Sequence, residues 1–292
     1  MTLRELAHRV PYHHEVYVLG LTLLGRNRCG LVQSLRENGI YRRKHEAAIA
    51  SIAARSRVLE RDSDRLVLID TPYGQYWTPA GMDLFSPLAE RAIELYLSTD
   101  HSVRGGDIVL DCGANVGVFA REALDRGGSR VVVIEPSPLN VECLRRNFER
   151  DIADGRVIVV SQGLWDEETT LKFSVAGNSV RDSFVLESGD TRATLQLRVT
   201  TIDKLCRDMS LARVDFIKMD IEGAEQRALA GAQETLARHH PRLSLASYHK
   251  ADDFENIPRI VRQAWPDCRI AHGPCKSTFG HVQPETLYFS HS

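Results

Sequence analysis

The sequence predicts an α/β protein with a mostly parallel sheet that is covered by helices on both faces. From about residue 105 onward, short runs of valine, isoleucine and leucine alternate with segments whose apolar residues recur at helical spacing. This alternation is typical of β-α-β units. The chain of 292 residues is 43% apolar and 26% charged, which is ordinary for a globular protein.

The region before this pattern has a different character. Residues 1–60 are predicted to be mostly helical and end in the segment HEAAIASIAARSRVLERD. The following RLVLIDTPYGQYWTP indicates two short strands around a Pro-Tyr-Gly turn. A helix over 86–98 then starts at a Ser-Pro pair, which suits a helix N-terminus. We therefore expect a helical extension over 1–70 and an α/β domain over 71–292 that begins with a β-hairpin.

The elements of the α/β domain follow in order. The predicted sheet strands are 108–111, 131–135, 157–161, 216–220 and 243–247. The predicted helices are 117–126, 138–149, 202–207, 224–238 and 256–264. A hairpin over 170–175 and 196–200 interrupts the pattern. The final apolar segments, CRIAHG and ETLYFS, have no helix between them, so we expect an antiparallel last strand.

Charge and cysteine content limit the classes of function and location. The net charge of −2 gives no positive field that would favour nucleic acid as a partner. The apolar segment VYVLGLTLLG is shorter than the roughly 20 residues that span a bilayer, and no convincing cleavage site follows it. The six cysteines form no CxxC pair, which favours buried free thiols over disulfides or zinc. We predict a cytoplasmic protein without stable membrane insertion.

The turn after the first sheet strand is the first candidate binding element. Within VLDCGANVGVF, Asp111 ends the strand, and Gly113 and Gly117 precede the helix. We expect Gly113 to let the backbone pass close to a ligand and Gly117 to let the helix pack on the strand. The same two glycines would also serve a purely structural turn, so they do not define a ligand alone.

Glu135, at the end of the second strand, indicates the class of ligand. An acid at that position can accept hydrogen bonds from both hydroxyls of a ribose. The GxxxG spacing lacks the third glycine of the dinucleotide fingerprint, and a carboxylate at Asp111 would repel a pyrophosphate. The same carboxylate suits the ammonium and sulfonium of S-adenosylmethionine, whose own carboxylate can face the helix N-terminus. The sequence therefore favours S-adenosylmethionine over NAD.

Five motifs, in their order and spacing, carry a resemblance to a known family. They are VLDCGANVGVF, VIEPSP, GLWDEETTLKF, TTIDKL and VDFIKMDIEGAEQRALAGA, over roughly residues 73–290. The chain resembles the FkbM family of class I methyltransferases, and DCGANVG together with IKMDIEGAE is the specific part. The resemblance implies a Rossmann-like sheet of seven strands, S-adenosylmethionine as cofactor and methylation of a hydroxyl.

The resemblance also implies the residues that bind the cofactor. They are Asp111, Gly113, Asn115, Gly117, Glu135, Gly163, Leu164 and Asp220. The first four would hold the methionine part, Glu135 the ribose, and Gly163 and Leu164 would lie near the adenine. Trp165 would either wall the adenine pocket or pack in the core. Asp220 would contact the methionine amine or the acceptor hydroxyl.

Two residues are candidates for catalysis, Asp220 and His249. His249 follows the fifth strand at the same sheet edge, and histidine is the usual side chain for taking a proton near neutral pH. A structural hydrogen bond from His249 to a loop is the alternative, since positioning beside a reactive sulfonium supplies rate by itself. The oxygen ligands that magnesium prefers occur at Asp220, Glu222, Asp252 and Asp253. Their spacing does not demand a metal, and we assign none.

The expected function is O-methylation, from S-adenosylmethionine, of a hydroxyl on a sugar, glycolipid or secondary metabolite. The expected partner is this small-molecule or glycan acceptor. N- or carboxyl methylation on the same fold and a non-catalytic cofactor-binding module stay open, because a fold does not fix its acceptor. The segments expected to select the acceptor are 1–104, 176–195 and 273–284.

Overall fold

A helical region and a small antiparallel sheet precede the large sheet. The computed structural model describes residues 13–62, 64–98, 101–174, 183–184, 194–278 and 280–291. The first elements are α1 (His13–Leu23), α2 (Leu31–Ala54), β1 (Arg57–Asp62), β2 (Leu66–Thr71), β3 (Gly74–Pro79) and α3 (Phe85–Ala92). The predicted strands around the Pro-Tyr-Gly turn are confirmed as β2 and β3, which pair antiparallel. The expected boundary after residue 70 falls inside β2.

Two expectations for this region are wrong. Helix was expected through residue 62, but β1 pairs antiparallel with β2. All six residues of β1 are exposed, so backbone pairing with β2 stabilises this strand rather than burial of its side chains. For the same reason no alternating apolar pattern in the sequence indicates the strand. The helix expected over 86–98 ends at Ala92, because Glu94 adopts a left-handed φ of 55° that a helix cannot contain.

The large sheet has the predicted class. Its strands are β4 (Ile108–Cys112), β5 (Arg130–Ile134), β6 (Val157–Val160), β11 (Phe216–Met219), β12 (Arg242–Ala246), β13 (Arg269–His272) and β16 (Thr286–Ser290). The order is β13-β16-β12-β11-β4-β5-β6. From β12 to β6 neighbouring strands are parallel, and β16 is antiparallel to both of its neighbours. The predicted mostly parallel sheet with an antiparallel last strand is confirmed.

Helices and two smaller sheets complete the fold. The helices are α4 (Val118–Asp125), α5 (Pro138–Asn147), α6 (Glu149–Ala153), α7 (Ile202–Asp208), α8 (Glu225–Ala230), α9 (Gln233–His239) and α10 (Asp253–Ala264). The remaining strands are β7 (Gly163–Leu164), β8 (Thr169–Ser174), β9 (Ser183–Phe184), β10 (Thr194–Thr200), β14 (Cys275–Thr278) and β15 (His281–Pro284). The expected interrupting hairpin is the antiparallel pair β8 and β10. Val175, the last residue of the first expected hairpin strand, lies outside the described residues, as do most of residues 176–195.

Alternation along the strands builds the core on both sheet faces. Leu110, Val132 and Ile217 pack into one cluster of buried side chains. Their chain neighbours Val109 and Val131 pack into another. Because successive side chains of a strand point to opposite faces, continuous apolar runs are what a doubly covered sheet requires.

The cysteine expectation is wrong for one pair. Cys29 and Cys275 form a disulfide across 246 residues of sequence, and it ties the loop after α1 to β14. Cys112, Cys143, Cys206 and Cys268 are buried free thiols, as expected. No spacing rule relates two cysteines so far apart, because only the fold brings their Cα atoms to 6.4 Å.

Within the described part of the chain, none of the helices combines the length and the apolar character needed to cross a membrane.

Candidate functional site

The strand order reverses between β4 and β11, and the candidate site lies at their carboxyl ends. Strands β5 and β6, which follow β4 in the chain, lie on one side of β4 in the sheet. Strands β11 and β12 lie on its other side. Gly113 follows β4 and Asp220 follows β11, so the two loops face each other across this point. Such a crevice is where doubly wound sheets bind ligands.

The two glycines of the first turn have structural partners. Gly113 has a φ of 77°, and an added Cβ would collide with the carbonyl oxygen of Asp220. Gly117 has a φ of 91°, and an added Cβ would collide with the ring of Phe148. Glycine is therefore required at position 113 because the loop after β4 passes close to the loop after β11. Gly117 allows close packing against Phe148 and Leu144 and not, as expected, against the strand.

An open cavity occupies the crevice. The predicted cofactor residues that line it are Gly113, Asn115, Glu135, Gly163, Leu164 and Asp220. The predicted residues that are not among its lining are Asp111, Gly117 and His249. Trp165 is also absent from the lining and packs with Val199 and Ala224, so the core alternative for this side chain is the observed one.

Asp111 lies beneath the cavity and pairs with a lysine. Its carboxylate is fully buried, and Oδ1 is 3.4 Å from Nζ of Lys218. Burial raises the pKa of Asp111, and Lys218 opposes this shift. Lys218 lines the cavity and donates a hydrogen bond to the Gly113 carbonyl oxygen at 3.0 Å. Lys218 therefore faces the cavity, with Asp111 as its counter-ion.

Glu135 is held at the cavity wall by backbone donors. Its Oε2 accepts from the N–H of Asn115, and its Oε1 accepts from the N–H of Ser137, both at 2.9 Å. Asn115 itself has a left-handed φ of 52°. Two fixed hydrogen bonds give the carboxylate one orientation, as recognition of a ribose requires.

Asp220 and His249 belong to one network of charged side chains. The hydroxyl of Tyr96 donates to Oδ2 of Asp220 at 2.7 Å. Nε2 of His249 lies 3.5 Å from Oδ1 of Asp220 and 3.4 Å from Oε2 of Glu222. Nδ1 of His249 lies 2.9 Å from Oε1 of Glu225, which also accepts the N–H of Ile221. The structure therefore brings the two predicted catalytic residues together.

This network determines the protonation of His249. Burial acts to lower the pKa of His249, but Glu225, Asp220 and Glu222 outweigh it and raise the pKa to about 10. Burial acts to raise the pKa of Asp220, yet Lys218, His249 and the Tyr96 hydroxyl hold it below its usual value. At neutral pH the pair is an imidazolium beside a carboxylate.

The acids considered as oxygen ligands do not all meet. Asp252 and Asp253 accept hydrogen bonds from Gln226, away from the cavity lining. One group in the described part of the chain, Asp220, Glu225 and His249, places a ligand atom of each residue within 4.8 Å of the others. Its imidazole spans the two carboxylates as their counter-ion, and we assign no metal to it.

Several cavity residues escaped the sequence analysis. They include Glu90, Tyr96, Phe119, Glu122, Asn140 and Tyr248. Glu90 and Tyr96 lie before the recognised motifs, in and after α3. The available signals were weak: Tyr248 adjoins His249, and Glu90 lies four residues after Ser86, which also lines the cavity.

The chain matches one family model and two characterised relatives. The model, described as the methyltransferase FkbM domain, matches residues 111–280. The 31-O-demethyl-FK506 methyltransferase FkbM of Streptomyces tacrolimicus is 25% identical in an alignment of 167 residues that covers 48% of this chain and 64% of the relative. The hexuronic acid methyltransferase AglP of Haloferax volcanii is 22% identical over 158 residues, which are 54% of this chain and 62% of the relative. The chain thus spans less than two thirds of either relative.

A solved structure is similar in fold. The FkbM methyltransferase of Methylobacillus flagellatus KT aligns with a TM-score of 0.50 at 23% identity. The alignment covers 70% of this chain and 51% of that chain. This likeness agrees with the Rossmann-like arrangement of the large sheet.

Proposed function

The chain belongs to the FkbM methyltransferase family, and from this premise we propose that it transfers a methyl group from S-adenosylmethionine to a hydroxyl. The proposed acceptor is a sugar, a glycolipid or another secondary metabolite. One relative is named for methylating 31-O-demethyl-FK506, which supports an oxygen acceptor, and the other is named for methylating a hexuronic acid, which supports a sugar. The observation that carries the cofactor assignment is the charge of the cavity.

Carboxylates outnumber cations on the cavity wall. The carboxylates are Glu122, Glu135, Asp220 and Glu222, and the cations are Arg91 and Lys218. Glu90 also lines the cavity, but its pKa is raised to about 8, so it is mostly protonated at neutral pH. Arg91 is already paired with Asp125 at 2.6 Å, and Lys218 with Asp111. An acidic cavity favours a cofactor with a sulfonium and an ammonium, and it opposes the pyrophosphate of NAD.

Polar and apolar surfaces of the cavity also fit the cofactor. Oδ1 of Asn115 and Oδ1 of Asn140 are buried without a hydrogen-bond partner among the described residues. Buried polar atoms without partners are costly, so a ligand that donates to them is expected. Phe119, Ile134 and Leu164 supply apolar surface for an adenine ring. When bound, S-adenosylmethionine supplies an electrophilic methyl group.

The charged network holds the reacting end of the cavity in place. Asp220 faces the cavity, and Tyr96 and His249 fix its carboxylate from two directions. As an imidazolium, His249 already carries a hydrogen on both ring nitrogens and cannot accept another proton. We therefore expect it to position Asp220 and Glu222. If His249 nevertheless served as the base after losing its proton, the rate would rise with a midpoint near its pKa of about 10.

Two measurements test the proposed function. Calorimetry should detect binding of S-adenosylmethionine and of S-adenosylhomocysteine, and no binding of NAD. Incubation with methyl-labelled S-adenosylmethionine and fractionated host extract should label a hydroxyl-bearing compound, which mass spectrometry then identifies. Binding of NAD alone, or label on nitrogen or carboxyl groups, would contradict the proposal.

The Glu135→Ala variant is expected to bind S-adenosylhomocysteine at least about tenfold more weakly, because it removes charge-assisted hydrogen bonds to the ribose. For the unchanged protein we expect a Kd in the micromolar range, worth roughly 8 kcal/mol. Calorimetry measures both values. Glu149→Ala, an acid of α6 away from the cavity lining, is the matched control and should bind normally. Equal affinity in the two variants would refute this placement of the ribose.

The His249→Gln variant is expected to lose a pH-dependent part of the folding free energy. Since folding raises the pKa of His249 from about 6.5 to about 10, its stabilisation is complete below pH 6.5 and disappears as the pH rises through 10. The difference in unfolding free energy between wild type and variant should therefore shrink by a few kcal/mol between pH 6 and pH 10, at about 1.4 kcal/mol per pKa unit. Urea denaturation at several pH values measures it, and a constant difference would show that His249 is neutral.

A further inference from the structure

Helix α3 turns one face toward the cavity. Ser86, Pro87, Glu90 and Arg91 all line it. Residues four positions apart, here Ser86 with Glu90 and Pro87 with Arg91, lie on the same face of an α-helix. This helix precedes the segment matched by the family model, so no recognised motif assigns it a role.

Glu90 connects the reacting end of the cavity with the C-terminal hairpin β14–β15. Its carboxylate is half-buried, and no side chain in the described ranges donates a hydrogen bond to it. The titratable and charged groups that interact with it are Tyr41, Tyr96, Lys218, Asp220, Tyr248, Lys276 and Glu285. Lys276 is itself held by Glu285 at 2.6 Å, and its ammonium lies 4.7 Å from the ring centre of Tyr248. The neighbouring cations are thus engaged elsewhere, which leaves the Glu90 carboxylate to a ligand.

We propose that Glu90 contacts the acceptor hydroxyl and takes up its proton during methyl transfer. The proposal rests on the proposed function. The hydroxyl oxygen forms a bond to the methyl carbon while its proton passes to a carboxylate oxygen of Glu90. The bond from that carbon to sulfur breaks with its electron pair on sulfur, which leaves a methyl ether and S-adenosylhomocysteine. Glu90 then returns its proton to water.

The other groups of the network are poorer proton acceptors. His249 already carries a proton and is not among the residues that line the cavity. Oδ2 of Asp220 accepts the Tyr96 hydroxyl, and the pKa of Asp220 is held low. Burial raises the pKa of Glu90 to about 8, and Asp220 and Glu285 add to this shift while Lys276 and Lys218 oppose it. A base whose pKa lies near the operating pH is the most effective one.

The first test needs no acceptor. In the full chain labelled with glutamate carrying ¹³C at the side-chain carboxyl, we expect one resonance to titrate near pH 8, in agreement with the pKa of about 8. This resonance should be missing in Glu90→Gln. It should persist in Glu94→Gln, a surface control on the turn after α3 whose carboxylate pairs with Arg126. If no Glu90 resonance titrates above pH 6, the proposal is overturned.

The second test uses the acceptor identified by labelling. Glu90→Gln should lower kcat about 10²–10⁴-fold, and the rising limb of the pH–rate profile near pH 8 should disappear. The Kd for S-adenosylhomocysteine should change little, and Glu94→Gln should keep the wild-type profile. If Glu90→Gln retains the wild-type kcat and the rising limb of the pH–rate profile, the proposed role of Glu90 is overturned, while the proposed function still stands. Failure of the wild type to bind S-adenosylmethionine would instead overturn the proposed function.

Discussion

Replacing Asp220 by asparagine is expected to impair both cofactor binding and turnover. The carboxylate faces the cavity between Tyr96 and His249. Its Oδ1 lies 3.5 Å from Nε2 of His249 but accepts no hydrogen bond from the described residues. A cationic ligand group would supply that hydrogen bond. Loss of one charge-assisted hydrogen bond should weaken S-adenosylmethionine roughly tenfold to a hundredfold. Loss of a preorganised charge beside the reacting atoms should lower kcat about a further 10²–10³-fold.

The matched control for this change is Asp252→Asn, which removes the same charge outside the cavity lining. Calorimetry and the labelled-methyl assay should give wild-type values for the control. Tyr96→Phe removes only the hydrogen bond to Oδ2 of Asp220. Its cofactor affinity and kcat should lie between those of Asp220→Asn and Asp252→Asn. Normal binding by Asp220→Asn would place the cofactor's charged end elsewhere in the cavity.

Replacing Gly113 by alanine is expected to abolish cofactor binding and to destabilise the fold by about 3–5 kcal/mol, from left-handed backbone strain plus overpacking. The new Cβ would collide with the carbonyl oxygen of Asp220, so the loops after β4 and β11 must separate. Both loops line the cavity, and their separation would displace Asn115 and Asp220 together.

Gly155→Ala separates backbone strain from this collision. Gly155 has a φ of +70°, but an added Cβ meets nothing within 4 Å. This control should lose only about 1–2 kcal/mol of stability and should bind S-adenosylhomocysteine normally. Thermal unfolding and calorimetry distinguish the two variants. Equal destabilisation with retained binding in Gly113→Ala would mean that the two loops move apart freely.

Much of the fold could be predicted because its information is local. The runs VVVI and IVL are apolar over their whole length, which is typical of strands in a sheet that is buried on both faces. The missing helix between CRIAHG and ETLYFS fixed the antiparallel direction of β16. The inserted strands β14 and β15 were not predicted, because a loop rich in glycine, proline and lysine carries no periodic pattern.

The candidate site could be predicted only in part. Residues at strand ends, such as Glu135 and Asp220, were found because parallel strands deliver their carboxyl ends to one edge. Glu90 was not found, because its helix joins the cavity through packing and not through any motif. Asp111 was expected at the cavity, but its carboxylate is buried and pairs with Lys218, which lines the cavity instead.

The sequence by itself determined the class of sheet, the direction of its last strand and the family, because these depend on patterns within a few residues of one another. Tertiary structure alone decided the Cys29–Cys275 bridge, the strand β1 and the charge of His249. Each of these depends on groups that are distant in sequence or on backbone pairing without burial. The pKa of His249 is raised because Glu225, Asp220 and Glu222 lie close to its buried imidazole. These carboxylates approach the imidazole only in the folded chain, so the Coulomb attraction that raises the pKa cannot be read from the sequence.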